Sequence, residues 1–386
     1  GGDARPRPTK SEYDSRQNLT LTRKFKGGVP VETSATYDTA GRQDSVTNAN
    51  GHGITYHYNA LHEKDWEDDP DGNRKTYTYY PAAHAAAGQI QTITIPGEGG
   101  ATHTTTYFYD NNGHLDRIDY PDGTSEDYTY DVRGDLTSLQ DRRGKLWQSF
   151  YNNRRMVRRE LDPYSAEKLY TYNSHGRLLT TTDRNGHQAV NTYHPAGRIK
   201  DSTNAENEKT VWQYDRRDWQ TKVISPLLHE AETTYLANGW TDEVFDPLDR
   251  PTKSFYQPNG NRYKVRNALS QETTFGFDDL DRVETVTNTR NVQTVSTLDK
   301  AGNTRFLENG RDQQSESVFD KLNRVTDFYT PLRRHMHRVY SPRGLLTSIS
   351  EPSGDTTALT YDEVGRVETR TDSLGTATYG YDGNGN

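Results

Sequence analysis

An aromatic residue recurs along the chain at a fixed interval of 21 positions. Thirteen such positions follow one another without slippage from Tyr109 to Tyr361, and only Leu298 among them is not aromatic. A period of this length indicates a repeat architecture, which has to be identified before any division into domains. The series also includes Tyr79, and its other aromatic members are Tyr37, Tyr58, Tyr109, Tyr130, Tyr151, Tyr172, Tyr193, Tyr214, Tyr235, Tyr256, Phe277, Phe319, Tyr340 and Tyr361.

A turn is predicted directly after each of these residues. Asp or Asn commonly comes next, and Gly, Asp or Asn stands four residues after the aromatic position, with Arg155 as the one misfit in the thirteen units. These residue types tolerate positive φ, and an Asp or Asn side chain bonds to backbone two residues on. The turn glycines are Gly41, Gly113, Gly134, Gly176, Gly197, Gly239, Gly260, Gly302, Gly344 and Gly365.

A second turn signal follows about ten residues later, as at Asp122-Gly123 and Asn185-Gly186. The segments between turns are rich in Thr, Val, Tyr and Leu and are too short for stable helices, so we expect strands. Each repeat is then one β-hairpin. A hairpin cannot bury its own face, and neighbouring hairpins must pair edge to edge. The sequence predicts an all-β fold whose single long antiparallel sheet spirals into a shell or partial cocoon.

The amino-acid composition bears on whether the chain folds at all. Hydrophobic residues make up only 30% of the chain, and the mean hydropathy of -1.08 is typical of disorder. The 26 tyrosines argue for a folded chain, because Tyr buries a large ring while its hydroxyl stays paired or hydrated. The chain has no Cys, which excludes disulfides and thiolate metal sites. A net charge of -8 argues against nucleic acid as a partner.

The repeats predict one continuous domain over residues 13–386, preceded by a tag scar and flexible lead-in at residues 1–12. A nine-residue surplus falls between Tyr79 and Tyr109, so an insertion is expected near residues 80–100. Because it interrupts an otherwise uniform chain, this insertion is where a specific feature is expected. No apolar run approaches the roughly 18 residues of a membrane span, and no signal peptide is visible.

Residues 37–42, 109–114, 172–177 and 361–366 resemble the YD repeat, Tyr-Asp-x-x-Gly-Arg. This motif is shared by bacterial Rhs proteins, the C subunits of insecticidal toxin complexes, wall-associated proteins and the animal teneurins. The resemblance implies a hollow β-cocoon that encloses a toxin polypeptide, in a protein that is secreted or displayed on a bacterial surface. Rhs toxin shells end in a self-cleavage segment with Asp-Pro-x-Gly motifs. That segment is not present, so we expect a fragment of a larger shell and carry over no cleavage residue.

The leading hypothesis is therefore a structural, non-enzymatic shell that needs no cofactor and encloses or displays a passenger polypeptide. A module that binds carbohydrate or a cell-surface partner is the alternative, since Trp147, Trp212, Trp219 and Trp240 offer stacking platforms for sugar rings. An enzyme acting on polysaccharide is the third hypothesis. The recurrence of Asp after the aromatic argues against it, because an active site is needed once and a turn is needed in every repeat.

A basic cluster is the candidate ligand patch. Its residues are predicted to span adjacent strands and to bind a polyanion or an acidic glycan. Solvated strand faces and cross-strand pairing with acidic neighbours explain the same residues equally well. The cluster comprises Arg142, Arg143, Lys145, Trp147, Arg154, Arg155 and Arg158.

No metal site is predicted. Residues 67–73 resemble an acidic calcium loop, but Thr78 stands where the closing Glu is required, and the segment lies in the register of a hairpin turn. The series His52, His57 and His62 would alternate between the faces of a strand. His335-x-His337 would place two imidazoles on one face, but no third ligand is evident near them in sequence.

Overall fold

The fold is an array of short β-strands joined by tight turns. The computed structural model describes residues 9–386, and they form two compact units: a split unit of residues 9–125 with 274–386, and a central unit of residues 126–273. The split unit begins with β1 Lys10–Tyr13, β2 Leu19–Lys26, β3 Val29–Tyr37, β4 Gln43–Thr47, β5 Gly53–Tyr58, β6 Lys64–Asp68, β7 Arg74–Tyr79, β8 Ile90–Pro96, the 3-10 turn Glu98–Gly100, β9 Thr102–Tyr109 and β10 Leu115–Asp119.

From β11 to β33, strands of six and five residues alternate. The central unit holds β11 Ser125–Tyr130, β12 Leu136–Gln140, β13 Leu146–Tyr151, β14 Val157–Leu161, β15 Glu167–Tyr172, β16 Leu178–Thr182, β17 Gln188–Tyr193, β18 Ile199–Thr203, β19 Lys209–Tyr214, β20 Gln220–Ile224, β21 Glu230–Tyr235, β22 Thr241–Phe245, β23 Pro251–Tyr256 and β24 Arg262–Arg266. Then follow β25 Glu272–Phe277, β26 Val283–Thr287, β27 Gln293–Leu298, β28 Thr304–Glu308, β29 Gln314–Phe319, β30 Val325–Tyr329, β31 His335–Tyr340, β32 Leu346–Ser350, β33 Thr356–Tyr361, β34 Val367–Asp372 and β35 Gly375–Thr378.

The predicted all-β, antiparallel hairpin architecture is confirmed, with 35 strands assigned to one sheet. The paired strands follow one another in the chain, as β15 and β16 do through Tyr170 and Thr181. Most of the predicted lead-in, residues 1–8, lies outside the described residues. Its last part, from Lys10, belongs to β1, which pairs with β2.

Every repeat aromatic is the last residue of its strand, where the pairing register slips. In the hairpin of β15 and β16, Thr171 faces Thr180, whereas the next residue, Tyr172, faces Leu178. The same irregularity occurs before Tyr193 and Tyr340. A bulge of this kind bends the strand and increases its twist. The aromatic position therefore marks a regular kink at one end of each hairpin.

The turn after the aromatic is held by the Asp side chain. Asp38 Oδ1 accepts hydrogen bonds from the backbone N–H groups of Ala40 and Arg42, both at 2.9 Å. Its other carboxylate oxygen accepts from Arg42 Nε at 2.7 Å. Gly41 supplies the left-handed residue, with φ of 84°. The misfit Arg155 adopts the same conformation, with φ of 64°. Asp, Gly and Arg of the hexapeptide thus hold the turn, and the aromatic before them lies at the kink of the strand.

The sheet has almost no fully buried side chains. Among the described residues, only Tyr77, Tyr80 and Ala86 are buried apolar residues. Most strand positions are partly exposed, because a single sheet has no second layer to cover it. Backbone pairing and side-chain hydrogen bonds between neighbouring strands must therefore supply much of the stability.

The tyrosine hydroxyl donates to a backbone carbonyl that lies beyond the end of the hydrogen-bonded ladder between two strands. The ladder of β12 and β13 runs only from Ser138 to Gln140, so the carbonyl of Leu136 lies beyond it. The Tyr151 hydroxyl donates to this carbonyl at 2.8 Å. The same bond joins each of the following tyrosines to the carbonyl 15 residues earlier: Tyr58, Tyr79, Tyr172, Tyr193, Tyr235, Tyr340 and Tyr361.

Replacing Tyr151 with Phe should leave the Leu136 carbonyl without its donor and destabilise the hairpin of β12 and β13 by about 1 kcal/mol. Faster amide hydrogen exchange in these two strands is the expected result. The control is Tyr164→Phe, because Tyr164 is 84% exposed. Conversely, Phe319→Tyr should slow exchange at β28, where the new hydroxyl would reach the carbonyl of Thr304. Equal exchange in Y151F and Y164F would contradict the role of the hydroxyl.

Acid should unfold the chain, because the turn carboxylates bind protons less readily in the folded state. The pKa lies below the ordinary 3.8 for Asp38, Asp110, Asp131, Asp215, Asp246, Asp278, Asp299 and Asp362. Their contribution to stability is complete above pH 3.8 and is lost as the pH falls through the lower folded-state values.

Urea unfolding midpoints measured between about pH 2.5 and 6 should therefore drop steeply at the acidic end. Asp278→Asn retains one acceptor oxygen but removes one titrating group. This variant should be less stable at neutral pH and should lose less stability on acidification. A midpoint that stays constant below pH 3.8 would show that the turns do not depend on ionised Asp.

Candidate functional surface

Within each unit the turns form two rows. Because consecutive strands are antiparallel, the turns that follow the aromatics lie along one edge, and the second turns lie along the other. We call these the aromatic-side row and the opposite row. A six-residue strand separates them, which is about 20 Å. A surface built by this chain therefore has two margins, and the repeat aromatics lie along only one of them.

The aromatic-side row carries a stacked ladder of side chains. In several repeats the Arg at the end of the hexapeptide lies over the aromatic ring of the next repeat, at 4.6 Å for Arg42 over Tyr58 and 4.7 Å for Arg324 over Tyr340. In the central unit Trp219 takes the place of Arg and lies 5.2 Å from the Tyr235 ring. Where they occur, these cation–π and ring contacts join one repeat to the next.

At Gly239 and Gly260 the turn glycine also leaves room for a Trp ring of the preceding repeat. A Cβ added at Gly239 would lie 3.0 Å from the Trp219 ring, and one added at Gly260 would lie 3.1 Å from Trp240. Both Trp rings thus cover the turn of the following repeat. Their contacts are those of the ladder, and sugar binding by the tryptophans stays a prediction.

The turn carboxylates are engaged by their own turns. Asp278 has only 1% of its side chain exposed and is bonded to the backbone N–H groups of Leu280 and Arg282. Burial alone would raise the pKa of Asp278, but the bonds from Arg282 outweigh burial and lower it. An ionised carboxylate whose lone pairs are occupied is poorly suited to general acid or base chemistry.

The predicted ligand patch is divided between the two rows of the central unit. Arg142, Arg143 and Lys145 lie in the turn before β13, whereas Arg154 and Arg155 lie in the turn after it. Trp147 is in β13 itself, and Arg158 is in β14. The basic residues are close in sequence but flank a whole strand, so they do not form one compact cluster.

Several of these basic side chains have partners of their own. Arg155 Nη2 lies 2.7 Å from Asp135 Oδ1, and Arg143 Nη2 lies 3.3 Å from Asp141 Oδ2. Arg154 Nη1 donates to the Ser174 carbonyl at 2.6 Å. These bonds belong to the cross-strand and turn pairing that was the alternative explanation of the cluster. Ligand binding at the patch stays a prediction.

The acidic segment at residues 67–73 includes a hairpin turn of the opposite row. Asp69 Oδ1 accepts from the N–H groups of Asp71 and Asn73, both at 2.9 Å, and Asp69 Oδ2 accepts from the Asn73 side chain. The turn interpretation of the acidic segment is confirmed.

Two imidazoles and one carboxylate meet on the hairpin of β30 and β31. His335 Nε2 and His337 Nδ1 each lie 2.8 Å from Asp327 Oδ1. The sequence indicated that the two His share a face, but it did not reveal Asp327. The missing signal was the hairpin register, which places Asp327 opposite His337.

The insertion forms a packed loop in the split unit. Residues 80–89 replace the short turn, and they close through Tyr80 N–H to the Gln89 carbonyl at 2.9 Å. Ala86 is only 1% exposed, and the Tyr80 hydroxyl donates to the Tyr107 carbonyl. The strands β8 and β9 that follow are lengthened to seven and eight residues. The surplus is thus accommodated within one repeat.

The split unit contains a seam at which its two segments meet. The opposite-row turns of residues 9–125 contact the aromatic-side turns of residues 274–386. Lys26 Nζ lies 3.4 Å from both Asp278 Oδ2 and Glu284 Oε1, and Arg324 Nη2 lies 3.4 Å from Asp71 Oδ2. Further seam pairs are Asn50 with Asp299, His103 with Arg343, and Asp122 with Arg366.

Seam partners are consistently twelve repeats apart. Asp122 and Arg366 belong to the repeats that begin at Tyr109 and Tyr361, which are twelve 21-residue intervals apart. Sequence reasoning missed this seam, because the turns of all repeats have similar composition and no local pattern identifies their partners.

Comparisons with known proteins agree with the repeat architecture. Residues 340–377 match the family model described as RHS Repeat. No curated protein matches the sequence. Residues 9–386 include no helix with the length and apolar character that a membrane crossing requires.

The fold is similar to that of large toxin-complex structures. The structure of the Photorhabdus luminescens Tc holotoxin pore with the TccC3-D651A mutation matches with a TM-score of 0.66 and 12% identity, over 94% of this chain and 25% of that chain. The crystal structure of TcdB2-TccC3 matches with a TM-score of 0.57 and 14% identity, over 97% of this chain and 25% of that chain. The present chain thus spans about a quarter of the length of these structures, and at this identity the likeness concerns the fold.

Lys26→Glu should open the seam, since it would place a carboxylate beside Asp278 and Glu284. Amide exchange in residues 278–284 should then accelerate, with no change in the central unit. Lys24→Glu is the matched control, because Lys24 is an exposed residue on the same strand. If the K26E and K24E variants exchange alike, the ion pairs at Lys26 do not hold the seam.

Proposed function

We propose that this chain, an RHS-repeat protein with the fold of the TcdB2-TccC3 structures, is a wall segment that encloses or displays a passenger polypeptide. The passenger would be a toxin domain, and the protein would be secreted by a bacterium or held at its surface. Its mechanism is confinement: a continuous wall keeps proteases away from the passenger and prevents it from acting early.

The observation that carries this proposal is the closure of the wall by its own hydrogen bonds. Neighbouring strands are spaced about 4.8 Å apart, which leaves no opening for a protease loop. The tyrosine bonds, such as that of Tyr151 to Leu136, extend this closure to the strand ends. In the split unit the seam joins the margins of the two segments through ion pairs such as Arg324 with Asp71.

The chemistry of the strand faces supports the same function. Strand residues such as Thr171 and Thr180 bond to each other across the sheet instead of forming an apolar surface. The most exposed large apolar residues lie in turns, for example Leu227, Leu248 and Leu269. A passenger that contacts such strand faces finds little apolar area on which to nucleate a folded core.

A non-catalytic scaffold is also consistent with the use of the carboxylates. Asp38, Asp278 and Asp362 each accept hydrogen bonds from two backbone N–H groups and from an Arg side chain of the same turn. Their repetition in many turns indicates a structural role. This is the basis for proposing confinement instead of turnover.

The test is limited proteolysis of the complete native gene product, with the K26E variant compared with K24E. If the wall protects a passenger, opening the seam should accelerate cleavage outside residues 9–386, and mass spectrometry should identify peptides from that passenger. Cleavage of these outside segments at the same rate in both variants, although exchange proves the seam open in K26E, would overturn the proposal.

A further inference from the structure

Asp327, His335 and His337 lie on one face of a single hairpin. Side chains at alternate strand positions point to the same side of a sheet, which places the two His together on β31. The antiparallel register sets Asp327 of β30 directly opposite His337, and it sets Tyr329 opposite His335. Residues on two strands therefore converge at one point. The short turn at residues 330–334 fixes this convergence locally.

The ligand atoms are already close enough to share one ion. Both ring nitrogens lie 2.8 Å from Asp327 Oδ1, and the three candidate donor atoms all lie within 4.8 Å of one another. A zinc ion binds imidazole nitrogen and carboxylate oxygen at about 2.0–2.2 Å, so its ligand atoms lie about twice that distance apart or closer. Only small side-chain rotations are needed to admit the ion.

The surroundings hold the site in place without filling it. The Tyr329 ring stacks on His335, with ring centroids 4.6 Å apart and an interplanar angle of 9°. Glu316 lies beside Tyr329 on the neighbouring strand, but Arg333 engages its carboxylate at 3.1 Å. Asp327 is only 22% exposed in its side chain, whereas the imidazoles are 44% and 45% exposed. The site is open to solvent on the His side.

This constellation differs from the other His–Asp pairs of the chain. His57 Nδ1 lies 2.6 Å from Asp65 Oδ1, and His187 pairs with Asp183 at 3.3 Å, but each of these pairs contains a single imidazole. Among residues 9–386, only the cluster at Asp327 brings three ligating side chains together. The single pairs therefore serve as internal comparisons.

We propose that Asp327, His335 and His337 bind one divalent transition-metal ion, represented by Zn²⁺. Two imidazoles with one carboxylate suit zinc and its first-row neighbours, and they do not suit Mg²⁺ or Ca²⁺, which prefer oxygen ligands. Three protein ligands leave a coordination position for water. On binding, the ring nitrogens that face Asp327 give their lone pairs to the ion, and any proton on them moves to the other nitrogen of the same ring or to solvent. The bound ion would then link β30, which carries Asp327, to β31, which carries both His residues.

The experiment is calorimetric titration of the metal-free 386-residue chain with Zn²⁺, with Co²⁺ absorption as a second readout. We expect one equivalent to bind, and His335→Asn, His337→Asn and Asp327→Asn each to weaken binding by roughly tenfold or more. His57→Asn, which disrupts a pair with one imidazole, should bind as the parent chain does. Zn²⁺ should also slow amide exchange across residues 325–340 in the parent chain and in H57N only.

Two outcomes would overturn the proposal. One is the absence of any Zn²⁺ heat and Co²⁺ spectrum in the parent chain. The other is binding that persists unchanged in all three site variants, which would place the metal elsewhere. Circular dichroism melts of each variant identify loss of fold. Each variant removes a cross-strand hydrogen bond, so its melting temperature should fall slightly while the transition stays cooperative.

Discussion

The bond from the tyrosine hydroxyl to a backbone carbonyl is the interaction on which the rest of the structure depends. A single sheet without a second layer cannot rely on a thick apolar core, and only three apolar residues among those described are buried. The ladder between the two strands that flank an opposite-row turn also stops short of their aromatic-side ends, as at Leu136. Tyr meets both needs, because its ring supplies apolar area and its hydroxyl donates to the carbonyl that the ladder leaves unpaired. This explains how a chain with 26 tyrosines folds at a mean hydropathy of -1.08.

The other fixed residues serve the same end of the hairpin. Asp38 closes the turn, Gly41 supplies the left-handed backbone, and Arg42 both bonds to that Asp and covers the ring of Tyr58 in the next repeat. The hexapeptide thus combines a local turn with a contact between repeats. The replacement of Arg by Trp219 shows that an aromatic ring can make the same contact between repeats.

Much of the fold could be predicted from the sequence, because the repeat encodes local interactions. Hairpins, strand periodicity and the left-handed turn positions all follow from residues within 21 positions of one another. The seam could not be predicted, since Lys26 and Asp278 are far apart in sequence and carry no distinctive pattern. The basic cluster shows a second limit of sequence reasoning, because Arg143 and Arg154 are close in sequence but lie at opposite ends of β13. The Asp327 cluster is encoded locally, because the register of the hairpin places Asp327 opposite His337.

The constant separation of seam partners restricts how such a chain can change during evolution. The insertion at residues 80–89 leaves the partners in place, since Asp71 before it and Asp122 after it both meet turns twelve repeats onward. Loss or duplication of one whole hairpin between partners would instead shift every charged turn to a different counterpart. Extra residues are therefore tolerated inside a loop, while the number of hairpins between partners is held fixed, so natural variants should differ more in loop length than in repeat count across this interval.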